Sequence, residues 1–183
     1  RIEAAPRKFR PAPEAPPVDE AREDADRRAD TLVPTARLAV SGGVPLLIEY
    51  DDVAAGASLA RCFRRQIGGD AACIEFDCAR LSDGAYEAFL GALACRTPQD
   101  GARVPEVVFL WNVHELNSAG QARLVSALQA ALPPQGRNLP FALISSSHGR
   151  LKTHVGRRAF RDDLAYRLCG RIVALPGRER YCE

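Results

Sequence analysis

Residues 44–77, VPLLIEYDDVAAGASLARCFRRQIGGDAACIEFD, decide the fold. VPLLIEY is an apolar run of strand length, and AACIEFD is a second one. Between them, AGASLARCFRRQIGG puts Leu59, Cys62 and Phe63 on one side of a helix and stops at a glycine pair. Strands apolar on both faces need cover on both faces, which is the condition of a parallel sheet. A helix joining two such strands crosses over with a right hand and packs on the sheet.

The same alternation continues outward. LSDGAYEAFLGALAC reads as a helix opened by Ser82 or Asp83, VPEVVFLWN as a strand, and NSAGQARLVSALQAAL as a long amphipathic helix capped near Asn117 or Ser118. LPFALISSS is a further strand, FRDDLAYRL a short helix and GRIVALP a fifth strand. The expected fold class is α/β, a three-layer α/β/α sandwich with a five-stranded, mainly parallel sheet over roughly residues 44–176. Towards the start, RIEAAPRKFRPAPEAPP (residues 1–17) carries five prolines and no apolar periodicity, the composition of an extended arm. The mixed-charge stretch that follows takes the expected arm or linker to residue 30, with the folded domain at 31–183. Within TLVPTARLAVSGG a helix is expected to end at Gly42 and Gly43, with Pro34 starting a new turn.

Composition narrows the function. The chain has 183 residues, 46% hydrophobic and 26% charged, with a formal net charge of +2. That balance is too even to demand nucleic acid or an anionic membrane. No apolar run reaches the roughly 18 residues of a membrane span. All basic residues except Lys8 and Lys152 are arginine, and methionine is absent, which suggests an excerpt of a longer chain. The cysteines Cys62, Cys73, Cys78, Cys95, Cys169 and Cys182 form no CxxC pair and read as reduced structural thiols in a cytoplasmic protein.

Few residues carry chemistry by themselves. His114-Glu115 runs on as HELNS, without the second histidine of a zinc-protease helix, so no metal is expected. His148 and His154 read as surface residues, and Ser145–Ser147 as strand-end hydroxyls that satisfy the backbone. No GxSxG motif is present. Arg157, Arg158 and Arg161, with the ending GRERY, form a basic cluster. It lacks interleaved aromatics or a helix-turn-helix pattern, so direct DNA binding is not expected of it.

FRDDLAYRL followed by GRIVALPGRER resembles the pattern FRxDLxYRLxxxxxxLPPLRER, which ends the AAA+ domain of sigma-54-dependent transcription activators. Four earlier blocks are similar to the same family in the same order. FALISSSHGRL looks like its sensor strand RIIAATNRDL, and VVFLWNVHELNSAGQARLVSALQ like LFLDEIxxLxxxxQxxLLRVLQ. CIEFDCARLS looks like FVxVNCAALP, and VPLLIEYDDVAAGASLARCFR like VLIxGExGTGKExxARAIH. The resemblance spans roughly residues 30–180. It implies a P-loop type core; the family's lid subdomain and Fis-like helix pair would lie beyond Glu183.

The departures from that pattern fall on the chemistry. The family's first block cradles phosphates with glycine backbone and a lysine. Here Tyr50, Val53 and Ala55 stand at the glycine positions and Gly56 at the lysine position, with Asp51 and Asp52 beside them. The family's acidic pair for magnesium and the attacking water is replaced by Trp111 and Asn112. The resemblance therefore implies a degenerate domain without ATPase activity, binding neither ATP nor magnesium. The Trp111 indole is expected to fill the vacated pocket. The sigma-contacting GAFTGA insertion is replaced by the turn-like RTPQDGARVP. Ser147 and His148 stand at the sensor Thr-Asn. Arg161 and Arg167 stand at the family's arginine fingers; the alternative is that they pair with Asp162, Asp163 or other carboxylates. A protein partner, an AAA+ homologue or a larger complex, is the expected ligand. An alternative is a nucleotide-responsive activator with a remodelled ATP site. Another is a scaffold that docks partners through the N-terminal arm.

Overall fold

The computed structural model describes residues 18–66, 73–80, 83–94, 107–132 and 139–175. Five strands form one parallel sheet: β1 (Leu46–Tyr50), β2 (Cys73–Asp77), β3 (Val107–Trp111), β4 (Ala142–His148) and β5 (Arg171–Leu175), in the order β2-β3-β4-β1-β5. The helices are α1 (Val18–Gly42), α2 (Val53–Gln66), α3 (Asp83–Ala94), α4 (Ser118–Ala131), α5 (Leu151–Gly156) and α6 (Asp162–Leu168). Short 3-10 turns follow β2 at Cys78–Arg80 and β3 at Val113–Glu115.

Strand alternation divides the core in two. Leu47, Val108, Leu110 and Leu143 join a cluster with Tyr86, Phe89, Leu124 and Leu164 from α3, α4 and α6. Their neighbours Leu46, Ile48, Phe109 and Ile144 join a second cluster with Leu32, Val33, Leu59 and Phe63 from α1 and α2. Both sheet faces are covered, as the apolar strands require. Phe63 is fully buried, and burying a side chain of that size contributes about 2–3 kcal/mol.

The amino-terminal region differs from its expected form. α1 runs unbroken from Val18 and contains Pro34, so no boundary falls at residue 30 and no new turn starts at the proline. Ala29, Leu32, Val33, Ala36 and Ala39 form one buried stripe across it, packed on α2. That stripe offsets the hydrogen bond the proline removes. Gly43 ends the helix with φ +63, and the Val44 amide donates back to the Ala39 carbonyl (3.2 Å), the six-residue closure expected of a glycine stop. α5 was not legible as a helix: it has six residues, and only Leu151 of them is buried. The Glu49 carboxylate on β1 receives the Leu151 amide (2.9 Å) and so caps it from another element. Cys62, Cys78 and Cys169, all among the described residues, form no disulfide there, and the Cys62 thiol donates to Asp30 Oδ1 (2.9 Å). Among the described residues no helix is long and apolar enough to cross a membrane.

Candidate functional site

The carboxyl ends of the strands form one edge. β2, β3 and β4 lie on one side of β1 and β5 on the other, so the winding direction changes at β1. In open parallel sheets ligands bind outside the strand ends at such a point. The positions singled out by sequence, Tyr50 to Gly56 and Trp111-Asn112, all arrive there, on β1 with the start of α2 and on β3 with the residue after it.

A tyrosine ring fills the centre of this edge. Tyr50 is 4% exposed, and its ring lies against the Cα of Gly56 in the first turn of α2. A Cβ at position 56 would stand 2.7 Å from Tyr50 Cζ and 2.8 Å from Cε2, closer than real Cβ contacts. Glycine at 56 and tyrosine at 50 therefore require each other. The Tyr50 hydroxyl donates to Asn112 Oδ1. Asn112 Nδ2 donates to Asp77 Oδ1 (2.8 Å), and the Asn112 amide to Ser146 Oγ (3.1 Å). Asn112 sits at φ 55, ψ 46, a left-handed conformation that asparagine tolerates better than most residues. These bonds tie the ends of β1, β2, β3 and β4 together. Burial, reinforced by the carboxylates of Asp77 and Glu115, pushes the Tyr50 hydroxyl up to about 12, so it stays protonated and donating.

The residues between Tyr50 and Gly56 are engaged through their backbone. The Asp52 carbonyl accepts the Gly56 amide (3.2 Å) in the first turn of α2, and the Asp51 carbonyl faces His148 Nε2 (3.3 Å). Ala55 is buried and Val53 is 76% exposed. The ring that lies against Gly56 is that of Tyr50, whereas Trp111, expected to fill the vacated pocket, packs elsewhere in the same core. The indole belongs to the α1–α2 core, stacked on Phe109 (5.3 Å, 9°) and beside Phe63 (6.4 Å), and its Nε1 has no hydrogen-bond partner among the described residues.

Arg161 and Arg167 lie apart from this network, at opposite ends of α6. The Arg161 guanidinium donates to both oxygens of exposed Asp163 (2.9 and 2.7 Å), which holds that carboxyl below its usual range. Its backbone amide is fixed by buried Gln121, whose Oε1 accepts it (2.8 Å) while Nε2 donates to the Leu116 and Ala159 carbonyls (2.6 and 3.0 Å). Gln121 stands at the glutamine of the block LFLDEIxxLxxxxQ, the only sequence signal that would have found it. Arg167 is half-buried and lines an open cavity of about 1050 Å³ with Glu49, Lys152, Asp162 and Asp163. That cavity is lined by none of Tyr50, Gly56, Trp111 or Asn112.

Ser146 accepts a backbone amide, as read for the strand-end serines, but sequence reasoning did not single out Asp77, whose hold on Asn112 exists only where the strand ends meet. His148 is exposed as expected, yet it sits in a group with His114 and His154. Among the described residues no group of His, Cys, Asp and Glu is placed to hold a metal ion. The expectation about the GAFTGA insertion concerns residues 96–105 and lies outside the described residues, as does the arm of residues 1–17.

No protein-family model matches the chain. No curated protein matches it either. Solved structures do. NtrX from Brucella abortus in complex with ATP superposes with a TM-score of 0.54 at 17% identity, over 87% of this chain and 39% of that one. Drosophila ORC bound to GC-rich DNA and Cdc6 gives 0.58 at 11% identity, over 91% and 63%. DnaA from Aquifex aeolicus bound to AMPPCP gives 0.50 at 14% identity, over 77% and 44%. The chain spans about two fifths of the length of NtrX. At these identities the likeness is one of fold: a parallel five-stranded α/β core of the kind found in AAA+ proteins.

Proposed function

We propose that this chain is a catalytically inactive AAA+-type module that acts through protein contacts, as a regulatory or accessory component linked to transcription control. The observation that carries the reading is the Tyr50 ring seated on Gly56 and hydrogen-bonded to Asn112. The tyrosine stands at a glycine of the phosphate loop that the sequence resembles, and the asparagine at its catalytic carboxylate. Each lost catalytic position satisfies the other. A phosphate chain at the start of α2 would have to displace a buried ring and would meet neither a lysine nor a magnesium carboxylate. The residues present therefore do not fit ATP with magnesium, and no hydrolytic step is derived through them. The link to sigma-54 activators rests on the five sequence blocks, and the protein partner on the contact surfaces such cores share.

Titration calorimetry with ATP and magnesium tests the reading, beside a phosphate-release assay. The expected result is no saturable heat and no turnover above buffer. Magnesium-dependent release that vanishes in Asp52→Ala would overturn it in favour of an active or nucleotide-responsive activator. That second reading draws on the likeness to NtrX, whose structure was obtained in complex with ATP.

A further inference from the structure

We propose that His114, His148 and His154 form an acid-labile latch, holding the turn between β4 and α5 onto the end of β1 at neutral pH and releasing it on acidification. The inference is independent of whether nucleotide binds. The three rings meet where β4 leaves the sheet: centroids of His114 and His148 are 6.0 Å apart, and those of His114 and His154 5.4 Å.

The hydrogen bonds fix how protons are arranged. The His148 backbone amide donates to His114 Nδ1 (3.2 Å). An amide only donates, so Nδ1 carries a lone pair and the ring hydrogen of neutral His114 is on Nε2, where Glu115 Oε1 accepts it (3.2 Å). His154 Nε2 faces the His148 carbonyl (3.2 Å) and His148 Nε2 faces the Asp51 carbonyl (3.3 Å). Carbonyls only accept, so both rings also carry hydrogen on Nε2. Three neutral rings satisfy every one of these bonds. A second proton on His114 falls on Nδ1 and sets a donor against the His148 N–H. Protons on His148 or His154 break none of these bonds but bring like charge beside His114. Burial, with the two neighbouring histidines, holds His114 below the ordinary histidine range against the opposing pull of Glu115.

Charged groups face the cluster from each element packed on it. The end of β2 and the 3-10 turn after it bring Asp77 and Arg80, which pair with each other (3.6 Å). From β1 and the bend after it come Glu49, Tyr50, Asp51 and Asp52. Glu49 is already engaged with the Leu151 amide, and Tyr50 is protonated. α5 and its flanks bring only cations, Arg150, Lys152, Arg157 and Arg158. α6 brings Asp162 and the mutually paired Arg161 and Asp163. The turn that the histidines hold is the one that clasps β1. The Gly149 amide donates to the Tyr50 carbonyl (2.7 Å), and the His148 and Tyr50 rings lie 5.7 Å apart.

A group with a depressed folded-state value adds stability above its unfolded value, near 6.5 for histidine, and loses it as pH falls. Histidine ring and backbone amide spectra of the whole chain from pH 7.5 to 5.0, with thermal midpoints, test the latch. His114 is expected to titrate below the ordinary histidine range, with the Gly149 amide signal moving in step with it. The midpoint is expected to fall by about 5 °C between pH 7 and 5. His114→Asn places a proton-free amide oxygen near the Nδ1 position. It is expected to hold the pH 7 midpoint within about 2 °C and to halve the acid-induced fall. A variant that keeps the whole fall overturns the proposal. So does a His114 titration that leaves the Gly149 signal still. The second result comes from the unsubstituted chain and decides the matter even where the variant does not fold.

Discussion

The edge at Tyr50 and the rim at Arg161 both lie in sequence blocks that resemble nucleotide-handling ones, and they take opposite forms. At the edge, two residues that depart from that pattern are buried or bonded, Tyr50 on Gly56 and Asn112 on Asp77 and Ser146, while Val53 stays exposed. At the rim, Arg161 matches the pattern, stays exposed and pairs with its near neighbour Asp163. A buried polar group costs free energy unless something satisfies it, and at the edge Tyr50 and Asn112 satisfy each other. An exposed arginine is solvated at little cost, so nothing compels its replacement. Burial separates the two outcomes better than the degree of sequence match does.

The sharpest way to break the comparison is at position 56. Gly56→Lys drives a side chain into the Tyr50 ring and is expected to cost about 3 kcal/mol in denaturant unfolding. Adding Tyr50→Gly is expected to relieve the clash while leaving a cavity, so the double variant falls well short of the sum of the two single losses. Simple additivity would mean that the ring and the glycine are not coupled. A smaller effect is expected from Tyr50→Phe, which strands Asn112 Oδ1 and costs about 1–2 kcal/mol. The same hydroxyl gives an alkaline signature. Its folded value is raised from 10.0 to about 12, so stability is present below pH 10 and lost as pH rises towards 12. Burial raises the Tyr86 hydroxyl as well, so the tyrosinate band should show two tyrosines ionising late in the native protein and one fewer in Tyr50→Phe. The smallest effect belongs to the rim: Arg161→Ala and Asp163→Ala are both expected to leave the thermal midpoint unchanged. A clear drop for either would make the rim a structural element and erase the contrast.

Legibility followed the same division. Strand alternation and the glycine stop at Gly43 were readable because local pattern determines them. The departure of Tyr50, Val53 and Gly56 from the phosphate-loop pattern was readable too, since it is a matter of residue class. The packing these residues adopt was not. Trp111 and Tyr50 both join the α1–α2 core, but with β4 between their strands it is the Tyr50 ring that reaches over Gly56, while the indole stacks on Phe109. α1 was cut short on paper because a proline and a charge-rich stretch outweigh a stripe that only α2 makes sense of. α5 depends on a carboxylate about a hundred residues earlier in the chain, and the histidine group on three separate elements. Such features are set by tertiary contact and leave no local trace.

The mutual fit of Tyr50 and Gly56 also constrains the chain's evolutionary future. A lysine arriving first at 56 meets the ring, and a glycine arriving first at 50 opens a hole in the core; either intermediate is worse than its parent. Exchange at either position is therefore conditioned on the other, and substitutions at 50 and 56 are expected to arise together rather than singly.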